Sequence, residues 1–174
     1  MRVSGNPHKK VVLDTSPLID ALAVDLATRE PDFGFLIERV SPLTDFLRSD
    51  PRRQRQFLAL ISSIEEIVIT SNVVGEMRSE RYSKPAEFHA AYWKNCLQFF
   101  KRHHIREELV PLAELEKDER IRELVCKIGP TDTGLMVLAN RERCTLLTND
   151  GHWFNWQYLF PRMEIRLVEG ELGG

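Results

Sequence analysis

Five short runs, Val11 to Leu13, Ile67 to Thr70, Ile105 to Val110, Cys144 to Thr148 and Met163 to Val168, alternate with segments of helical periodicity, and this alternation restricts the chain more than any other feature. Each run is too short for a core helix, and most are bounded by turn or cap residues, so they read as buried strands. Between the first two, Leu18, Ile19 and Leu22 follow Ser16-Pro17, where Ser reads as the N-cap and Pro as the first helical residue. Phe57, Leu60, Ile61 and Ile64 mark a second helix, and Phe88, Tyr92, Cys96 and Phe99 a third. A fourth is expected from Leu115 to Cys126, stopping at Gly129-Pro130. A fifth, apolar on most sides and therefore buried, is expected from Asp132 to Asn140. Strand and helix alternate along the chain, which predicts an α/β domain: a mostly parallel five-stranded central sheet, flanked by helices and joined by right-handed crossovers.

A chain of 174 residues holds one sizeable core, so residues 1–174 are read as a single domain. The stretch 28–55 mixes Pro31, Pro42, Pro51 and Gly34 with Arg52, Arg53 and Arg55, and is expected to be an irregular or helical insertion between strands one and two. Residues 169–174 are expected to fray. A formal net charge of −2 rules out a grip on nucleic acid through overall positive charge, so any phosphate-binding surface must be local. Cys96, Cys126 and Cys144 offer neither a zinc pair nor an even disulfide framework, which suits a reducing cytoplasm. The polar, basic start carries no secretory signal, and no apolar run approaches the roughly 20 residues of a membrane span, so a soluble cytoplasmic protein is expected.

Acidic residues recur at one kind of place: Asp14 after Val-Val-Leu, Glu76 one helical turn beyond the second strand, Asp132 opening the fifth helix, and Asp150 after Leu-Leu-Thr-Asn. Each has a local explanation. Asp14 and Asp132 suit helix starts, Asp150 suits a turn before Gly151, and Glu76 suits a solvated helix face. Jointly they point further, because residues just past the carboxyl ends of parallel strands meet in one crevice. Carboxylates crowded there repel one another unless a cation neutralises them, and hard oxygen donors favour Mg²⁺ or Mn²⁺. Gly75 beside Glu76 and Gly134 near Asp132 are poor helix choices, which hints at a close backbone approach. Glu80, among Arg78 and Arg81, reads as a surface ion-pair partner.

The set resembles the PIN domain family of metal-dependent nucleases. Asp14-Thr15-Ser16 matches an Asp at the end of the first strand followed by Thr or Ser, and Glu76 in Asn-Val-Val-Gly-Glu-Met matches a Glu on the helix after the second strand. Asp132 with Leu138-Ala139 follows the form Asp-x-x-hydrophobic-x-x-Ala, and Thr148-Asn149-Asp150 the Thr/Ser-x-Asp after the fourth strand. The resemblance spans nearly the whole chain, departing from the pattern in the long stretch between the first two strands and at Gly134.

It implies an endoribonuclease in which Asp14, Glu76, Asp132 and Asp150 are the catalytic metal-binding acids, with Asp14 and Asp150 as direct ligands. Thr15 and Thr148 are expected to hydrogen-bond a carboxylate and fix its rotamer, unless they serve only strand-end and turn chemistry. RNA needs flanking basic groups: Arg78, Arg81 and Lys84 come first, then Arg52, Arg53 and Arg55, then Lys101, Arg102, His103, His104 and Arg106. Trp153, Phe154, Trp156 and Tyr158 offer either a stacking surface or core packing, and His152 either a phosphate contact or a surface histidine. The rival reading is a catalytically inactive PIN-like scaffold that binds RNA or a protein partner. A cognate antitoxin, another protein partner and a homodimer all stay open.

Overall fold

A computed structural model describes residues 9–29, 43–48, 50–79 and 86–173, with only the backbone described for residues 78, 79, 86–89, 91 and 92. Along the chain run β1 (Lys10–Leu13), α1 (Thr15–Arg29), α2 (Asp45–Arg48), α3 (Pro51–Ser63), β2 (Glu66–Thr70), α4 (Ser71–Ser79), α5 (Ala86–Arg102) and β3 (Ile105–Glu108). There follow α6 (Leu112–Leu115), α7 (Glu119–Ile128), α8 (Pro130–Glu142), β4 (Thr145–Thr148), a 3₁₀ stretch (Gly151–Leu159), β5 (Glu164–Leu167) and α9 (Val168–Glu171). The five strands form one sheet in the order β3-β2-β1-β4-β5, every pair parallel.

Burial follows that order. Val11, Val12 and Leu13 of β1, Ile67, Val68 and Ile69 of β2, and Leu146 and Leu147 of β4 are all buried, so consecutive residues on both faces of the central strands are covered. Helix α1 packs with α3, α4 and α5, while α8 packs with α6 and α7 and lies on β1, β2 and β4. Six of the thirteen residues of α8, Thr133 to Met136, Leu138 and Ala139, are buried, as an apolar helix laid on a sheet requires. The edges differ. Strand β3 (Ile-Arg-Glu-Glu) is half-buried rather than core, and β5 (Glu-Ile-Arg-Leu) carries charges too; charged side chains suit an edge that must not pair with another chain. Lys10 joins Glu66 and Glu142, each at 3.0 Å, and Arg106 joins Glu66 and Glu108, an ion network around the amino ends of β1 and β2.

Several local expectations are corrected. Helix α1 begins at Thr15 rather than after a Ser16 cap, because Asp14 already accepts Thr15 N–H, and its carbonyl receives Leu18 N–H. The segment expected to be one helix from Leu115 is two, since Asp118 caps a fresh start at Glu119 by accepting Arg120 N–H. Within the insertion 28–55, the described residues are helical in α1, α2 and α3, with Asp50 capping α3; residues 30–42 and 49 lie outside the described residues. Of the end expected to fray, Glu169 to Glu171 lie in α9, beside buried Val168 and with Arg166 donating to Glu171 at 3.0 Å; Gly174 lies outside the described residues. Gly75 is exposed, and a Cβ there would meet nothing within 4 Å; at Gly134 it would make ordinary contact with Val110 at 3.8 Å, so neither glycine serves a close backbone approach.

Candidate functional site

The strand order reverses between β1 and β4: β2 and β3 lie to one side of β1, β4 and β5 to the other. Beyond the carboxyl ends at such a switch point the connections diverge and leave a crevice. Asp14 stands at the end of β1 and Thr148, Asn149 and Asp150 at the end of β4, on the two sides of this gap. Glu76 comes in on α4 and Asp132 on the first turn of α8, the helix that lies across β1, β2 and β4.

Hydrogen bonds thread three of these acids together. Asp14 accepts from Thr15 N at 2.6 Å and from Thr148 Oγ1 at 2.7 Å; Thr15 Oγ1 donates to Glu76 Oε2 at 2.6 Å; and Asp150 N donates to Thr148 Oγ1 at 3.0 Å. The hydroxyls of Thr15 and Thr148 therefore each hold a carboxylate, with Asp14 and Thr148 both buried. Asp150 turns outward as the cap of the 3₁₀ stretch, accepting from His152 N and meeting His152 Nδ1, both at 2.8 Å.

Electrostatics bring in the fourth acid. Burial pushes the Asp14 carboxyl up to about 6, the charges of Glu76 and Asp150 adding to it while the Thr148 and Thr15 hydrogen bonds pull it down. Burial, followed by the charges of Asp14, Glu76 and Asp150, pushes Asp132 up to about 7. Each of the four acids thus lies within electrostatic reach of others in one crevice. Between Asp132 and Asp150 opens a cleft of about 30 Å³, walled also by Ile128, His152, Trp153 and Trp156, with room for water but not for a base.

The donor set is carboxylate and hydroxyl oxygen, hard chemistry that fits Mg²⁺ or Mn²⁺ and not a thiol-loving ion. Two acids held above their ordinary range by mutual charge and burial also fit, since a divalent cation removes that cost. With Glu76 turned to Thr15 and Asp150 to His152, no group of three or more His, Cys, Asp or Glu among the described residues is arranged to hold a metal ion.

A second polar knot adjoins the acids and went unread in the sequence. Buried Asp20 of α1 accepts from Thr44 N at 3.1 Å, from Thr44 Oγ1 and from Asn149 Nδ2 at 2.9 Å, while Asn149 Nδ2 also reaches Ser16 Oγ at 3.0 Å. Burial raises the Asp20 carboxyl, against the Thr44 and Asn149 hydrogen bonds. The knot clamps Asn149, the residue before Asp150, onto α1. Its signal was present in Asp20 and Asp25, two aspartates interrupting the otherwise apolar run from Leu18 to Ala27. Asp25 answers to Arg102 at 2.6 Å and Arg29 at 2.9 Å.

The basic and aromatic candidates divide. Arg81 and Lys84 lie outside the described residues, as does the side chain of Arg78. Arg102 is committed to Asp25 and Arg106 to Glu66 and Glu108, so these two are structural ion-pair partners. His103 stacks on Phe99 with ring centroids 4.3 Å apart. Arg53 pairs with Asp50, whereas Arg52 and Arg55 are exposed on α3. Trp153 is a core residue, Trp156 is half-buried beneath Lys127 at 5.0 Å, and Phe154 and Tyr158 are exposed.

No helix among the described residues is long and apolar enough to cross a membrane. Compared with known proteins, the chain matches no family model, no curated protein and no solved structure.

Proposed function

We propose that this protein is a divalent-metal-dependent endoribonuclease, in which Asp14, Glu76, Asp132 and Asp150 hold Mg²⁺ or Mn²⁺ and direct water onto a phosphodiester of RNA. The observation that carries the reading is the meeting of these acids at the switch point: Thr15 and Thr148 tie Asp14, Glu76 and Asp150 together by hydrogen bonds, and Asp132 enters on the first turn of α8 with its carboxyl raised by burial and by the charges of the other three. Their resemblance to the acids of PIN domain nucleases supports the choice of RNA as substrate.

When bound, the cation supplies counter-charge to the phosphoryl oxygens and makes water a stronger acid. The protein's own groups do the rest. Asp14, fixed at both oxygens by Thr15 and Thr148, is the rigid ligand of the site. Asp150 would hold the cation from the outer side, and Asp132 and Glu76, approaching from helices, would orient the attacking water. Arg78, Arg81 and Lys84, which follow Glu76 in the chain, are the phosphate contacts that let an acidic site hold a polyanion.

The test is cleavage of single-stranded RNA with Mn²⁺ by the wild type, by Asp14→Asn and by Asp150→Asn. Activity that needs the divalent ion and drops at least about a hundredfold in both variants is the expected result. Cleavage that survives both changes, or proceeds in chelator, removes the mechanism. Mn²⁺ binding without any cleavage would turn the protein into a binding scaffold of the same architecture.

A further inference from the structure

Thr70 ends β2 with its side chain 2% exposed, and its hydroxyl oxygen has no hydrogen-bond partner among the described residues. Such a group is costly to bury, and valine has nearly the same shape without the cost. Its place in the sheet says what the hydroxyl is for. The β1–β2 register pairs Val12 with Val68, and the same register carried two residues past that pair sets Asp14 level with Thr70. In the β1–β4 register Leu13 faces Leu147, so Asp14 faces Thr148 on its other side. Residues level with one another on neighbouring parallel strands project to the same face of the sheet. Thr148, Asp14 and Thr70 therefore form a row across the carboxyl ends of three adjacent strands, and the Thr148 Oγ1 to Asp14 Oδ2 bond of 2.7 Å shows the row in contact on one side. Asp14's two oxygens are already engaged by Thr148 and Thr15, and the Thr70 hydroxyl at the end of the adjacent strand has no partner of its own.

We infer that Thr70 is a positioning residue of the acidic crevice, its hydroxyl hydrogen-bonding a water in the hydration shell of the divalent cation that Asp14 holds. The inference rests on the metal-site reading above. Mg²⁺ and Mn²⁺ keep much of their water, and hydroxyl groups beside the ligands fix where that water sits. Thr148 supports the carboxylate itself; Thr70 supports the water.

Titration of free MnCl₂ into the wild type, Thr70→Val and Thr70→Ser, followed by the loss of the free-ion resonance, tests this without any turnover. Thermal melts in chelator run alongside. Thr70→Val is expected to bind Mn²⁺ about tenfold more weakly, and Thr70→Ser to return to within about twofold of the wild type. In chelator, Thr70→Val melts no lower than the wild type, because it removes an unpartnered hydroxyl and keeps the packing. Equal Mn²⁺ affinity for wild type and Thr70→Val overturns the role of Thr70 and leaves the metal site standing. A wild type that takes up no Mn²⁺ at millimolar concentration overturns both.

Discussion

Replacing Asp14 by asparagine should stabilise the protein in chelator at alkaline pH while abolishing whatever Mn²⁺ does for it. The Asp14 carboxyl, near 3.8 in an unfolded chain, is pushed up to about 6 in the fold, so the native state keeps a proton that the unfolded state releases earlier. Stability contributed by the neutral carboxyl is complete below about pH 4 and is withdrawn as pH rises through about 6. The full withdrawal corresponds to about 3 kcal/mol. Asparagine fits the site, because its oxygen can accept Thr15 N–H and its amide can donate to Thr148 Oγ1, which now donates to Asp14. Those two bonds are already counted in the shift to about 6, so the net gain at alkaline pH is about 3 kcal/mol. For a chain of this size that raises Tm by about 6 to 12 °C. Circular-dichroism melts of both proteins in chelator, from about pH 5 to about pH 8, read the difference directly. The gap should open as pH rises and close in acid. An asparagine variant that melts below the wild type at the alkaline end, or a gap that does not change with pH, refutes the account of Asp14 as a carboxylate destabilised by burial and by its acidic neighbours.

Two further changes probe the supports of the crevice. Asp20→Ala strips the acceptor from Thr44 N–H and Asn149 Nδ2 and should cost about 2 to 3 kcal/mol in urea unfolding; an unchanged midpoint would mean the knot contributes nothing. Thr148→Val removes the hydrogen bond that holds the Asp14 carboxyl down, so half-maximal Mn²⁺ binding should move to higher pH, and an unshifted binding profile would count against Thr148 as its support.

The site trades stability for readiness. Asp14 and Asp132 sit where burial and like charge raise their carboxyl groups, to about 6 and about 7. A chain selected only to fold would put asparagine or leucine there, and the cation capture proposed above gives a reason to keep the acids. Elsewhere the acids are paired with bases, Asp25 with Arg102 between α1 and α5, and Glu66 and Glu142 with Lys10 at the far end of the strands.

What the chain by itself determined is the alternation of elements and the place of the acids within it. Val11 to Leu13, Ile67 to Ile69, and Leu146 and Leu147 are β-branched or leucine runs with no polar residue inside them, and a sheet covered on both faces buries such runs. The apolar span of α8 likewise demanded a buried helix, and each acid was visible at a junction. Strand order was not visible there. That β3 and β5 are the edges, and that the order reverses between β1 and β4, follows from how the crossovers pack, and this alone turns four separate junctions into one crevice. Local pattern also could not reveal the roles of Asp20, Thr70 and Asn149. A buried polar group is defined by its surroundings, and these lie on other elements: Asn149 reaches Asp20 across 129 positions, and only the pairing of β1 with β2 sets Thr70 alongside the end of β1. Propensity is a property of neighbours along the chain, whereas hydrogen-bond satisfaction is a property of neighbours in space.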